Sequence, residues 1–156
     1  MTDAPVSTRV ATPEDSRLVA QMLQDFNAEY GEETPPLATL TERLRDLLAG
    51  DRFFALVAGV PVVGLATVAL RPSPYFLGDV AYLEDLYVEP TMRGQGTGSA
   101  LIALLLGEAA RRGIGMLEVG VDEPDVDALR FYERHGFIHR DPATGERAFH
   151  LYRELD

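Results

Sequence analysis

The chain has 156 residues, 46% of them hydrophobic, and this is enough for one buried core and a single domain over residues 1–156. Its 25 acidic against 14 basic residues leave a net charge of −11, which disfavours a nucleic-acid binder and favours a cationic partner. No cysteine is present, so disulfides, a thiolate nucleophile and cysteine metal sites are excluded. No apolar run reaches membrane-spanning length, Met1 to Thr8 lacks the pattern of a secretory signal, and a cytoplasmic location without membrane contact is expected.

Thr8 to Val10 is predicted as a short first strand. Thr12 before Pro13 marks a helix start, with the hydroxyl as cap and proline at the first helical position. Leu18, Val19, Met22, Leu23, Phe26 and Tyr30 then recur at helical spacing. After a break at Gly31 to Pro36, Thr39 and Glu42 have capping-box spacing. Leu40, Leu44, Leu47 and Leu48 form a second apolar stripe that ends at Gly50. Phe53 to Ala58 and Val62 to Leu70 are predicted strands joined through Gly59-Val60-Pro61. Arg71 to Asp79 is a Pro/Gly-rich loop, and Ala81 to Val88 is the next strand. A helix from about Gly98 to Arg112 closes with Arg111, Arg112 and Gly113, all suited to a helix C-terminus.

Met116 to Val121 is a buried-strand candidate, and Pro124 to His135 a short helix closed by Gly136. Phe137 to Arg140 and Arg147 to Arg153 are predicted as a final strand pair around the turn Asp141-Pro142-Ala143-Thr144-Gly145. The predicted order, β-α-α-β-β-β-α-β-α-β-β, is an α+β layout with a mixed, mostly antiparallel sheet flanked by helices. The unit from Ala81 to Val121 should be a parallel pair with a right-handed crossover.

Arg93-Gly94-Gln95-Gly96-Thr97-Gly98 lies between a predicted strand and a predicted helix. Its glycines let the backbone turn tightly, and the first amides of a helix favour a phosphate. No lysine follows as a nucleoside-triphosphate loop requires, and Ser99 stands where a dinucleotide loop needs Gly or Ala. The Arg-x-x-Gly-x-Gly spacing resembles the acetyl-CoA loop of the GCN5-related N-acetyltransferases (GNAT). Tyr82-Leu83-Glu84-Asp85-Leu86-Tyr87-Val88-Glu89-Pro90 ends in a step similar to that family's Val-x-Pro. Asp125 to Phe137 resembles the family's second signature, Asn-x-x-Ala-x-x-Phe-Tyr-x-x-x-Gly-Phe. The resemblance in motifs covers about Ala81 to Phe137. It implies the acyl-CoA N-acyltransferase (GNAT) fold, with the parallel strand pair splayed around the cofactor's pantetheine arm.

The implied reaction moves an acetyl group from acetyl-CoA to an amine by direct attack in a ternary complex. An alkylamine is protonated at neutral pH, so a base is needed, together with an oxyanion donor and an acid for the thiolate. In an unbroken strand Tyr82, Glu84 and Leu86 share one face, and Leu83, Asp85 and Tyr87 the other. Glu84 is taken as the base. Asp85 is the competitor, because a bulge would change the phase. Tyr132 stands at the signature's tyrosine and is implied as the acid, while Phe131 is expected to pack in the core.

The resemblance also implies backbone N–H groups near Leu86, Tyr87 and Val88 as oxyanion donors. It places the pyrophosphate on the amides of Gly94, Gln95, Gly96, Thr97, Gly98 and Ser99. Arg93 would add charge-assisted bonds there, with an ion pair to Glu89 as its alternative. Asp125 replaces the usual asparagine; it either accepts a bond from the cofactor or caps a helix. Glu29, Tyr30, Glu32 and Glu33 lie in the segment that often shapes the family's acceptor pocket. Asp122, Glu123, Asp125 and Asp127 lack calcium-loop spacing, the three histidines lack paired ligand spacing, and no metal is expected.

The expected acceptor is a small cationic amine such as a polyamine or an amino sugar. Alternatives are a peptide or protein amine, a non-catalytic acyl-CoA sensor and a thioester hydrolase. A homodimer is expected from exposed strand edges near the C-terminus.

Overall fold

The sheet is built from strands whose β-branched and aromatic content was legible in the chain. In a computed structural model describing residues 4–155, the elements are β1 (Thr8–Val10), α1 (Ser16–Glu29), α2 (Leu37–Ala49), β2 (Phe53–Ala58) and β3 (Gly64–Arg71). They continue with β4 (Val80–Val88), α3 (Thr97–Arg112), β5 (Met116–Val119) and α4 (Val126–Arg134). Contacts divide the described residues into two units, 4–118 and 119–155.

The strand order is β1-β2-β3-β4-β5. The first three pairings are antiparallel, and β4 and β5 are parallel. The Gly115 N–H donates to the Asp79 carbonyl at 2.9 Å and ties the beginnings of the parallel pair together. Arg71 on β3 meets Glu118 on β5 at 2.7 Å.

In the first unit both sheet faces are covered. Val19, Ala20 and Met22 of α1 and Leu44 of α2 pack with Ala55, Val57, Leu65 and Tyr87 of the sheet. On the opposite face, Leu101, Ile102 and Leu105 of α3 are fully buried, and the Arg112 guanidinium lies 4.1 Å from the centroid of the Phe54 ring. Burying each of these leucines contributes ~1.5–3 kcal/mol.

The helix starts differ from the expectation in detail. Thr12 is the N-cap ahead of Pro13, and Asp15 is its partner in a capping box: the Asp15 carboxylate accepts the Thr12 N–H at 2.8 Å and both Arg9 guanidinium nitrogens at 2.7 and 2.9 Å. The second helix begins at Leu37, ahead of the Thr39 box, with Pro36 as its N-cap. There Thr41 turns its hydroxyl back onto the Leu37 carbonyl at 2.7 Å.

The Arg9 hydrogen bonds, opposed by burial and joined by the Thr12 N–H, hold the Asp15 carboxyl down at about 2, from an ordinary 3.8. A depressed carboxylate stabilises the fold above its unfolded value and loses that contribution as pH falls through about 2. Asp15→Asn is therefore expected to cost ~1 kcal/mol at neutral pH. Urea titrations of both proteins should converge as the pH is brought down to that value.

In the second unit α4 carries a buried Tyr132, whose ring meets Phe131 at 5.3 Å and Phe137 at 5.5 Å. The predicted final strand pair is not formed there; a single bridge, Arg140 to Arg147, stands in its place. The turn itself is well made. Asp141 Oδ1 accepts the amides of Ala143 and Thr144 at 2.7 and 3.0 Å, and the Asp141 N–H donates to the Glu146 carbonyl at 2.8 Å. Turn chemistry is local. Strand arms need a buried face, yet Ile138, Phe149, Leu151 and Tyr152 are exposed, and an isolated ribbon is marginal.

Candidate active site

Strand β4 delivers the acidic pair, and a bulge decides where each side chain goes. Val68 of β3 faces Leu83, but the next residue, Thr67, faces Asp85, so Glu84 is the extra residue on β4. Beyond the bulge Leu65 faces Tyr87. Cross-strand partners share a face, so Tyr82, Asp85 and Tyr87 lie together on the α1/α2 side. Leu83 and Leu86 lie on the α3 side. The phase expected for an unbroken strand, with Tyr82 and Glu84 together, is thereby corrected.

Glu84 is exposed at the bulge, whereas Asp85 is half-buried. The Thr67 hydroxyl, fully buried in β3, donates to Asp85 Oδ2 at 2.5 Å. Burial pushes the Asp85 carboxyl above its ordinary range, and the Thr67 bond opposes that rise. Thr67 is not marked out by the sequence. Its only signal was one hydroxyl in the apolar run Gly64 to Leu70, and its partner lies 18 positions away.

Tyr87 is raised by burial and by the nearby carboxylates of Glu29 and Asp25, with Arg93 acting against them. Phe26 of α1 packs on the Tyr87 ring at 5.4 Å. The end of β4 thus lies near Asp25 and Glu29 of α1, with Arg93 as the cation among them.

Arg93 sits where β4 gives way to the glycine loop. Its Nε–H donates to the Val88 carbonyl at 2.9 Å, and its terminal nitrogen meets both Glu29 oxygens at 2.8 and 2.9 Å. Its ion pair is therefore with Glu29 of α1, not with Glu89. This fork ties the loop to the last residue of α1.

Gly94 and Gly96 have φ of +74° and +86°, which side chains rarely adopt, and a methyl built on either meets nothing within 4 Å. Gly96 is the N-cap of α3 and has no side chain with which to cap that first turn. Gly98 and Ser99 continue the turn, while the Gln95 side chain reaches back to the Thr91 carbonyl at 3.4 Å. Open space above helix-start amides fits an anionic phosphate group.

The underside of that turn is tightly packed. Thr97 is buried, and a Cβ added to Gly64 would stand 2.8 Å from Thr97 Cγ2, 3.2 Å from Leu101 Cδ1 and 3.4 Å from Ala58 Cβ. Gly64→Ala is therefore expected to cost ~1–3 kcal/mol by overpacking. Scanning calorimetry should show the lowered Tm.

In the second unit Asp125 caps α4: its Oδ1 accepts the Ala128 N–H at 3.0 Å. Tyr132 lies on the buried side of that helix. Among the described residues no group of three or more His, Asp or Glu side chains could hold a metal. None of the helices in the same range is long and apolar enough to cross a membrane.

Comparison with known proteins adds four similarities to this geometry. Residues 19–137 match the profile of the Acetyltransferase (GNAT) family. An aminoglycoside N(6')-acetyltransferase type 1 of Stenotrophomonas maltophilia is 35% identical over 135 residues, 83% of this chain and 84% of that protein. An uncharacterised N-acetyltransferase of Methanocaldococcus jannaschii is 34% identical over 96 residues, but the match spans only 42% of its length. The crystal structure of a candidate acetyltransferase from Arthrobacter sp. FB24 superposes with a TM-score of 0.91 at 46% identity, over 99% of this chain and all of the other.

Proposed function

The chain belongs to the GNAT family and is an acetyl-CoA-dependent N-acetyltransferase, and from that premise we propose that its acceptor is a small cationic amine such as an amino sugar or a polyamine. The observation that carries this reading is the bulge on β4, which sets a half-buried carboxylate beside an exposed one on the strand leading to the glycine loop. The aminoglycoside acetyltransferase among the relatives supports the same substrate class.

Acetyl-CoA supplies the acetyl group as an activated thioester. Asp85 takes a proton from the acceptor's ammonium, and its raised pKa brings it toward the operating pH, where a general base works best. Glu84 anchors the cationic amine, with the α1 carboxylate Asp25 adding negative potential. The amides from Gly94 to Ser99 hold the pyrophosphate. Arg93, already forked onto Glu29 and bonded to the Val88 carbonyl, braces the loop. Backbone N–H groups among Leu86, Tyr87 and Val88 stabilise the developing oxyanion.

Tyr132 returns a proton to the departing thiolate, a role supported by its place in the second signature alone. Asp125 serves as the cap of α4. Both units are proposed to act as one catalytic domain, in the cytoplasm. The exposed Phe149, Leu151 and Tyr152 support a homodimer, which sedimentation equilibrium would show as twice the monomer mass.

The test is thiol release from acetyl-CoA across a panel of amino sugars, polyamines and peptides, with an amine-free control. Release that requires a small cationic amine is expected. Release only with peptides would assign a peptide acceptor, and release without any amine a hydrolase. Cofactor binding with no release from any acceptor would move the reading to a sensor.

A further inference from the structure

We propose that Thr67 is a positioning residue for the acetyl-transfer reaction: its buried hydroxyl holds Oδ2 of Asp85 and leaves Oδ1 to receive the amine's proton. This inference rests on the base role proposed for Asp85. Thr67 has no exposed surface, and its branched side chain on a central strand has few rotamers, so the hydroxyl is a fixed donor. The bulge makes the contact, because in an unbroken register the residue opposite Thr67 would be Glu84.

The proton step balances simply. The N–H bond of the ammonium breaks, its electron pair stays on nitrogen, and an O–H bond forms at Oδ1 while Oδ2 keeps its bond from Thr67. A carboxylate held at one oxygen presents the other in one orientation, which is the condition for proton transfer in a fixed geometry.

The charged surroundings leave Thr67 as the principal specific partner. Burial and the Thr67 bond are the two causes acting on Asp85. Tyr82 and Tyr87 share its face of β4, and Glu84 precedes it. Arg71 of β3 and Glu118 of β5 are paired with each other. Asp25 and Glu29 of α1 act on Tyr87.

The experiment compares Thr67→Val, Thr67→Ser and the unaltered enzyme in kcat, KM and the pH profile of kcat/KM. Valine keeps the shape and removes the donor, so the acid limb should move to higher pH and kcat should fall roughly tenfold or more. KM for acetyl-CoA should stay put, and serine should restore both limb and rate. An unmoved limb in Thr67→Val, or a serine variant no better than valine, overturns the proposal.

Carbon-13 NMR titration of the Asp85 carboxyl provides a readout independent of turnover. Its pKa should rise in Thr67→Val and return in Thr67→Ser; no rise overturns the contact. If the unaltered enzyme acetylates no amine, the proposed function falls and the catalytic role of Thr67 falls with it. If the enzyme is active while the limb is unmoved, only the Thr67 assignment falls. Should valine unfold the protein, the serine variant and Thr67→Ala carry the same comparison.

Discussion

Asp85→Asn is expected to lower kcat at neutral pH by ~10²–10³-fold, the usual contribution of a positioned general base. Asparagine keeps the shape, and its side-chain oxygen can still accept the Thr67 hydroxyl, so the loss would be one of proton acceptance and not of packing. Acetyl-CoA affinity, measured by calorimetry, should change little. Glu84→Gln should act mainly on KM for the amine, because Glu84 is exposed at the bulge. A larger kcat loss in Glu84→Gln than in Asp85→Asn would reverse the two roles.

The same substitution has an expected effect on stability. Burial raises the Asp85 pKa above its ordinary 3.8. A carboxyl with a raised folded pKa stabilises the fold below its unfolded value and loses that contribution as pH rises through the folded value. Above that value the buried carboxylate is a cost to the fold, and Asp85→Asn should leave Tm unchanged or higher. Lower activity with equal or greater stability is the pattern of a site that trades stability for chemistry. A fall in Tm would instead mark Asp85 as a structural anchor.

Gly96→Val is expected to weaken acetyl-CoA binding by roughly 100-fold, about the worth of two charge-assisted hydrogen bonds. Gly96 has φ of +86°, and a branched side chain there costs ~1–2 kcal/mol in backbone strain. Relief of that strain would turn the first amides of α3 away from the ligand. The valine would also fill space that is open above the turn. Gly145→Ala controls for backbone strain alone, since Gly145 has φ of +73° in the turn after Arg140, also with open space around it. It should lower stability and leave acetyl-CoA affinity intact. Calorimetric titration with acetyl-CoA separates the two, and equal losses in both would remove the loop's binding role.

Much of this protein was determined by sequence-local physics. The strand Phe53–Ala58 has the predicted bounds, and the helix closing at Gly113 ends where a residue with φ of +68° is needed. The glycine loop, the Asp125 cap and the turn after Arg140 are set by residues within a few positions of each other, so short stretches of chain reveal them.

What the tertiary structure decided lies in register and partner choice. Nothing in Tyr82 to Val88 announces that Glu84 is the extra residue; that depends on how β4 aligns with β3. Arg93 chose Glu29, 64 positions away, over Glu89 on its own stretch of chain, and Thr67 found Asp85 across the strand pair. The arms after Gly136 have strand composition, yet among the described residues they form their turn and the isolated bridge Arg140 to Arg147. Local conformational preference is written in neighbouring residues, whereas a bulge, an ion pair and a strand's partner depend on which distant backbone arrives alongside.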